Sequence, residues 1–137
     1  VQDCTRSLLA MDLWIREGTE IDLSDQLGIE SGDMHRMVET ANWLIYSLRE
    51  LSRLLGRMDL IKELDVLRQR IIYGIKEELV DLVKIKGIGR VRARKLYKNN
   101  IKTRQDLAIT PVNQLAVIDK IGLTVANNIK SELQKVR

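Results

Sequence analysis

The sequence predicts an all-α fold, in which a helical bundle with a long central helix is followed by a small second helical domain. Three observations support this prediction. Apolar residues recur at helical spacing along nearly the whole chain, and no segment alternates between apolar and polar residues over more than a few positions. The chain contains no Phe and a single Pro, a composition that does not resemble a β-sandwich or a barrel.

Five helices are predicted in the first part of the chain. Their approximate limits are 3–17, 22–27, 31–55, 58–73 and 76–83. A glycine follows each of the first four, as is common just after a helix: Gly18, Gly28, Gly56 and Gly74. Ser31 is the expected N-cap of the long third helix. The apolar face of the first helix is formed by Leu8, Met11, Trp14 and Ile15, so we interpret Trp14 as a core residue.

Four shorter helices are predicted after residue 90. The first covers about 91–98. The second begins with the spacing of a capping box, Thr103 to Asp106. The third begins at Thr110-Pro111, with Thr110 as the N-cap and Pro at the first helical position, and extends to about Ile118. The last covers about 124–134.

The charge is distributed unevenly between two predicted domains. Residues 1–80 contain 10 Lys and Arg against 15 Asp and Glu, a net charge of −5. Residues 81–137 contain 13 against 4, a net charge of +9. A strongly basic module of this kind is typical of polyanion binding. We therefore expect a partial helical bundle at 1–80 and a nucleic-acid-binding domain at 81–137, without a flexible linker.

Composition excludes several classes of protein. The 137 residues are 45% apolar and 31% charged, as in soluble globular proteins, and no apolar run approaches the roughly 20 residues that span a bilayer. No signal peptide is visible, and Val at position 1 indicates a piece of a longer protein. One Cys and one His make a zinc site unexpected. We predict that Cys4 is buried, in an intracellular, cytoplasmic protein.

The strongest local motif is LVKIKGIGRVRARKLYKNNI, residues 82–101. A helix, the turn Gly87-Ile88-Gly89 and a basic second helix form the helix-hairpin-helix pattern. Two glycines permit a tight turn whose backbone N–H groups face a phosphate, while Ile88 packs into the core. Residues spaced four apart predict a basic stripe beside the turn: Arg90, Arg94 and Lys98.

The pattern recurs 33 residues later, which indicates an internal duplication. KGIGRVRARKL, residues 86–96, aligns with DKIGLTVANNI, residues 119–129. The second copy has Lys120 in place of the first glycine and lacks the cations of the second helix. We predict that the first hairpin binds the DNA backbone without sequence specificity, and that the degenerate second hairpin completes the core. The alternative is a plain helix–helix turn with a solvated charged face.

The long helix carries a tryptophan on its polar side. At 100° per residue, positions 34, 38, 41, 45, 48 and 52 form one stripe, apolar except for Ser52, and Arg36 and Trp43 share the opposite face. An indole two turns from a guanidinium is suited to single-stranded nucleic acid, because one side chain stacks on a base and the other holds a phosphate. The alternative is that this face packs on another helix, with Trp43 in the core.

The sequence also permits three other interpretations. Residues 21–41 resemble a helix-turn-helix that recognises a duplex sequence, but the second helix begins Gly32-Asp33-Met34 in an acidic half of the chain. A base-flipping glycosylase pairs such a hairpin with a catalytic Asp in a Gly/Pro-containing loop, and Pro111 has no acidic neighbour. A module that recruits replication or repair proteins through its basic half is the third.

Taken together, these segments resemble the C-terminal part of an archaeal superfamily 2 DNA helicase. The group is that of the fork-repair helicases related to helicase Q and to the helicase half of polymerase theta. The matching motifs are GDMHRMVETANWLIYSL, YGIKEELVDLVKIKGIGRVRARKLY and the second hairpin at 119–129. The resemblance covers essentially the whole chain.

The resemblance implies roles for particular residues. In that family, one long "ratchet" helix contacts the translocating single strand through an Arg and a Trp, and those positions match Arg36 and Trp43. A small C-terminal domain holds the 3′ tail through a basic cluster and acts as a brake or coupling element. The residues that match this cluster are Arg90, Arg92, Arg94 and Lys95.

The ATPase domains of that family have no counterpart in this sequence. No glycine-rich loop ending in Gly-Lys-Ser or Gly-Lys-Thr occurs, so this chain is expected to bind DNA without hydrolysing ATP and to hold no metal or cofactor. ATP and Mg²⁺ are expected only in the motor domains of the parent helicase. The expected partners are single-stranded or forked DNA and those motor domains, with a single-strand-binding protein as a further candidate and no membrane. The expected location is close to the nucleoid.

Overall fold

The computed structural model describes the backbone of residues 2–135 and the side chains of residues 4–135. All regular structure in this part of the chain is helical and it contains no strand, which confirms the all-α prediction. The helices are α1 (Gln2–Ile15), α2 (Glu20–Leu27), α3 (Ser31–Leu54), α4 (Met58–Tyr73), α5 (Val80–Val83), α6 (Arg90–Lys98), α7 (Arg104–Ile109), α8 (Val112–Ala116) and α9 (Gly122–Lys135). A 3₁₀ turn, Glu77–Leu79, precedes α5.

The chain forms two compact units, Val1–Glu77 and Glu78–Arg137. The first contains α1–α4 and the second contains α5–α9. In the described residues, no helix is both long enough and apolar enough to cross a membrane.

The first unit has a core between its N-terminal helices. The buried residues of this core are Ala10, Leu23, Ile29 and Met34. Trp14 packs against them and is partly buried, and its indole N–H donates to the carbonyl of Ile71 at 2.8 Å. This hydrogen bond ties α1 to α4, and the interpretation of Trp14 as a core residue is confirmed.

The long helix α3 packs along α4. Ile45 and Ser52 of α3 are buried, and the Ser52 hydroxyl donates to the Leu48 carbonyl at 2.8 Å, which satisfies the one buried polar side chain among the described residues. Polar contacts flank this seam: Arg49 Nε donates to Asp65 Oδ1 at 2.7 Å, and Arg68 Nε donates to Asn42 at 2.6 Å. The hydrogen bond that Arg49 donates to the Asp65 carboxylate raises the pKa of Arg49 above its usual range.

The start of α3 and the end of α1 are formed by other residues than the sequence predicts. Glu30, rather than Ser31, is the N-cap of α3, because the Glu30 N–H donates to the side chain of Asp33 three residues later. Gly18 does not adopt the left-handed conformation, which Glu17 takes instead, with φ of 67°. Glycine is needed at position 18 because an added Cβ would lie 2.6 Å from Leu13 Cγ.

The capping box at Thr103 is confirmed, with the Thr103 hydroxyl accepting from Asp106 N–H at 3.1 Å. The predicted cap at Thr110 is wrong. Its hydroxyl donates to the Asp106 carbonyl at 2.6 Å and so closes α7, which leaves Pro111 as the N-cap of α8.

Three predicted burials are also wrong. Cys4 is exposed, as are residues 5–9, because α1 contributes to the buried core of this unit only from Ala10 onward. Leu8 is 71% exposed for the same reason. Leu48, assigned to the core stripe of the long helix, is 49% exposed, whereas Ile45 and Ser52 of the same stripe are buried.

The second unit has an aliphatic core without aromatic residues. Its largest fully buried side chains are Leu79, Leu82, Ile85, Ile88, Leu96, Leu107, Leu115 and Ile129. Asp81 accepts from both the backbone N–H and the guanidinium of Arg104, at 2.8 and 3.0 Å, which fixes the start of α7. Lys130 donates to the carbonyls of Leu107 and Ala108 at the end of α7, and burial lowers the pKa of Lys130.

Candidate nucleic-acid interface

The first hairpin has the geometry that its sequence predicts. Gly87 takes φ of 92°, a left-handed conformation that disfavours side chains. Ile88 is 2% exposed, and its N–H donates to the Ile85 carbonyl at 3.1 Å. Gly89 is the N-cap of α6. The turn therefore anchors Ile88 in the core while both glycines face away from it.

No contact within the chain requires a glycine at position 89. Its φ of −104° is open to other residues, and a Cβ added at this position would meet nothing within 4 Å. Because Gly89 has no side chain, its backbone atoms are open to solvent. That property suits the close approach of an external group such as a phosphate.

The second hairpin repeats the first in its backbone contacts. Ile121 N–H donates to the Ile118 carbonyl at 3.1 Å, which corresponds to the Ile88–Ile85 hydrogen bond 33 residues earlier. Lys120 takes φ of 69° in the place of Gly87, and Gly122 takes φ of 65°. Ala126 and Ile129 are buried as predicted for a hairpin that completes the core. The internal duplication seen in the sequence is thus present in the fold.

Several predicted DNA-binding cations make contacts inside the second unit. Arg94 pairs with Glu78 at 2.7 Å and lies 5.2 Å from the ring centre of Tyr97. Lys95 pairs with Asp119 at 3.0 Å, and this hydrogen bond lowers the pKa of Asp119. These contacts partly neutralise the basic cluster that the sequence places on α6.

Arg92 is engaged with backbone oxygens. Its Nη1 donates to the Gly87 carbonyl at 2.8 Å, and its Nε donates to the Lys120 carbonyl at 3.1 Å. One guanidinium therefore joins the equivalent positions of the two hairpin turns.

The exposed positive charge around the hairpins comes mainly from lysines. Among the described residues in and beside the hairpins, five lysines have exposed side chains: Lys84, Lys86, Lys98, Lys102 and Lys120. Only Lys98 was among the predicted site residues; Arg90 is half-buried. The exposure of Lys84 and Lys86 could have been predicted from the sequence, because Lys84-Ile85-Lys86 alternates polar and apolar residues before the turn. Ile85 is buried, and the two lysines on either side of it are exposed.

In the first unit, Trp43 projects from α3 away from the α4 seam. It is 66% exposed, so it does not belong to the core of this unit. The hydroxyls of Thr40 and Ser47 lie on the same face and donate to the carbonyls of Arg36 and Trp43, both at 3.0 Å. Both hydroxyls are therefore bonded to the helix backbone, which leaves the Trp43 indole and the Arg36 guanidinium as the contact groups on this face.

Arg36 is the second predicted contact residue on α3. Its side chain is 74% exposed, and Nη2 donates to Asp33 Oδ1 at 2.5 Å. Arg36 also borders an open groove of about 550 Å³ between α1 and α3, whose apolar lining includes Leu8, Met11 and Leu44. Seven residues separate Arg36 from Trp43, about 10 Å along the helix axis, so one bound strand is able to reach both.

Together, the paired hairpin turns, their lysine-rich rim and the bundle with its solvent-facing indole define a helical protein with a helix-hairpin-helix domain. The family model described as archaeal helicase, domain 4, matches residues 2–74, and the model of the SAM-like helix-hairpin-helix tandem matches residues 79–135. The chain belongs to the archaeal helicase domain 4 family. A helix-hairpin-helix tandem follows that domain in the sequence.

Its curated relatives include several proteins named ATP-dependent DNA helicase Hel308. The protein of Pyrococcus horikoshii is 35% identical over 129 residues, which cover 93% of this chain and 18% of the relative. That of Thermoplasma acidophilum is 35% identical over 93% of this chain and 19% of the relative. That of Methanococcus vannielii is 40% identical over 80% of this chain and 15% of the relative. The chain thus spans less than a fifth of the length of these relatives.

Proposed function

We propose that this chain is the non-catalytic, DNA-binding C-terminal region of an ATP-dependent DNA helicase. In this proposal, α3 contacts the translocating single strand through Arg36 and Trp43, and the hairpin domain holds the 3′ tail through backbone phosphates. The observation that carries the proposal is the 66% exposure of Trp43 on the face of α3 opposite its packing seam. Exposed apolar area of this size is unfavourable in water, and stacking on a base removes it.

The surroundings of the indole support a single strand rather than a duplex sequence. Bases of a single strand offer their ring faces, and every base has one, so stacking requires no particular sequence. A duplex-recognising helix needs basic and polar groups at its N terminus. The N terminus of α3 instead carries Glu30 and Asp33, and the Asp33 carboxylate is held ionised by Arg36, which lowers its pKa.

For the second unit, the proposal is based on the turn of the first hairpin. Gly87 and Gly89 leave its backbone uncovered, and exposed lysines flank it. Such a surface binds phosphates without sequence specificity and with strong salt dependence. The proposed site residues are Gly87, Ile88, Gly89, Arg90, Arg92, Arg94, Lys95 and Lys98; the internal contacts of Arg92, Arg94 and Lys95 give them a supporting role as well.

The activity of the whole protein is part of the same proposal. The motor domains of the parent helicase would bind ATP and Mg²⁺ and move the strand, and this chain would grip it during fork repair or restart inside the cell. A single-strand-binding protein is a further proposed partner.

The test is a fluorescence titration in which Trp43 is the single indole. Poly-dT single strands are titrated into the Trp14→Phe variant, and the emission of Trp43 is followed alongside the anisotropy of labelled DNA. Saturable quenching that is lost at high salt is the expected result. Binding seen by anisotropy while the indole remains unchanged would contradict the role of Trp43 and leave the hairpin domain as the DNA-binding part.

A further inference from the structure

Glu17 follows α1 in a conformation that suits glycine or asparagine better than glutamate. Its φ of 67° lies in the left-handed region, where a residue with a longer side chain is strained. A helix end of this kind forms with less strain when glycine or asparagine takes the left-handed position. The presence of glutamate therefore points to a contact made by its side chain.

The Glu17 carboxylate contacts the segment that follows α4. Its Oε2 accepts from the backbone N–H of Lys76 at 3.1 Å, across 59 residues of sequence. Gly74 ends α4 with φ of 64°, so the N–H of Lys76 lies beyond the helix. Glu17 thus gives this N–H a partner that the helix does not provide.

Two further hydrogen bonds join the same ends of α1 and α4. The indole N–H of Trp14 donates to the carbonyl of Ile71 at 2.8 Å, and Nη2 of Arg70 donates to the carbonyl of Ile15 at 3.4 Å. Nε of Arg70 also donates to the carbonyl of Ile75 at 3.1 Å, and the Ile75 side chain is fully buried. The end of α1 therefore holds the last turn of α4 and the residues after it.

These contacts act on the segment by which the chain leaves the first unit. That unit ends at Glu77, directly after Lys76, and the second begins at Glu78. Residues 75–78 contain no glycine or proline, and the 3₁₀ turn Glu77–Leu79 follows Lys76 directly. A backbone N–H held at this point limits the directions in which the chain can leave the first unit.

We infer that Glu17 is a positioning residue that clamps this exit, so that the two DNA-binding units act as one bivalent binder. A strand held by the first unit meets the second at an effective concentration that depends on the stiffness of the connection. A loose exit spreads the second unit over a larger volume and lowers that concentration. This inference rests on the proposed DNA-binding function and adds to it a residue outside both proposed contact surfaces.

The test compares labelled oligo-dT of about 5 nucleotides, which occupies one unit, with oligo-dT of about 30 nucleotides, which is long enough for both. Glu17→Asn and Glu17→Gly accept the left-handed conformation and lose the carboxylate that reaches Lys76. We expect the Lys76 amide to exchange with deuterium about tenfold faster in both variants. We expect the affinity for the long strand to fall about three- to tenfold and that for the short strand to stay unchanged.

Two controls separate the clamp from other effects. Glu17→Gln retains a side-chain oxygen that accepts from the Lys76 N–H, so it should keep most of the amide protection and of the long-strand affinity. Glu63→Gln removes an exposed carboxylate near the start of α4 and should leave the exchange of Lys76 unchanged. Loss of a negative charge by itself strengthens DNA binding, so the fall expected at position 17 has the opposite sign to a charge effect.

An unchanged long-strand affinity in both Glu17→Asn and Glu17→Gly would overturn this inference and leave the proposed function intact. Equal losses for the short and long strands would also overturn it, because they would reflect damage to the first unit. The same conclusion would follow if the unaltered chain bound the long strand no more tightly, per binding site, than the short one. Failure of the unaltered chain to bind either strand would overturn both the inference and the proposed function.

Discussion

Arg36 donates from Nη2 to Oδ1 of Asp33, one turn earlier in α3, at 2.5 Å. The same carboxylate accepts from the backbone N–H of Glu30 through its other oxygen. Asp33 thus caps the helix and holds the guanidinium that is proposed to contact the strand. A phosphate that binds Arg36 must compete with this carboxylate.

Asp33→Asn should therefore raise the affinity for single-stranded DNA. The Asn oxygen still accepts from Glu30 N–H, whereas the charge that holds Arg36 is gone. Solvent screens an exposed ion pair and keeps it weak, so we expect an increase of at most severalfold at low salt, measured by anisotropy. Asp59→Asn, which removes the same charge from the exposed Arg57–Asp59 pair, is the matched control. An equal increase in affinity in both variants would mean that the release of Arg36 does not account for it.

Substitution of Trp43 should change DNA affinity, whereas substitution of Trp14 should change stability. Trp43→Leu should lower single-strand affinity by about 1–3 kcal/mol, because one stacking contact is lost, while the free energy of unfolding changes by less than about 0.5 kcal/mol. Trp14→Phe removes the indole N–H that donates to the Ile71 carbonyl and should cost about 1 kcal/mol of stability. Its DNA affinity should remain unchanged. Urea unfolding and anisotropy measured on the same samples test both statements, and a large stability loss in Trp43→Leu would be inconsistent with the exposed position of that indole.

The two glycines of the first hairpin should respond differently to alanine. Gly87→Ala forces a Cβ into φ of 92° and should cost about 1–2 kcal/mol of stability. Gly89→Ala meets no neighbour and should fold normally, yet its methyl group would stand where a phosphate approaches the backbone. We expect Gly89→Ala to weaken DNA binding severalfold at unchanged thermal stability. Normal DNA affinity in Gly89→Ala would argue against a phosphate at this turn.

Acid should destabilise the first unit through its helix caps. Hydrogen bonds from the Thr19 backbone and hydroxyl lower the pKa of Asp22 below its ordinary value of 3.8, and the hydrogen bond from Arg36 lowers the pKa of Asp33 in the same way. A carboxyl group with a lowered folded-state pKa contributes its full stabilisation above the unfolded-state value and loses it as the pH falls through the folded-state value.

We therefore expect the free energy of unfolding to be nearly independent of these two groups above about pH 5 and to decline below about pH 4. Circular dichroism at a series of acid pH values, at constant salt, measures the decline. Asp22→Asn keeps an oxygen acceptor but does not titrate, so its decline should be shallower than that of the unaltered chain. Identical pH profiles would show that Asp22 is not linked to folding.

The sequence by itself determined the helices and the existence of two hairpins. Helical spacing, capping residues and glycines act over three to seven residues, so they constrain the local conformation of the backbone without any reference to distant partners. The 33-residue repeat and the polar face that carries Arg36 and Trp43 are patterns of the sequence itself, so both were visible without coordinates.

Only the tertiary structure decided how each charge is used. Arg94 pairs with Glu78, Lys95 with Asp119, and Arg92 with the carbonyl of Lys120, partners that lie 16, 24 and 28 residues away in the chain. No periodicity in the sequence identifies such partners, because they meet only when the helices of the second unit pack. The arginines predicted to bind DNA are therefore partly internal supports of the second unit. The exposed charge beside the turns comes mainly from lysines instead, which only the packed structure shows.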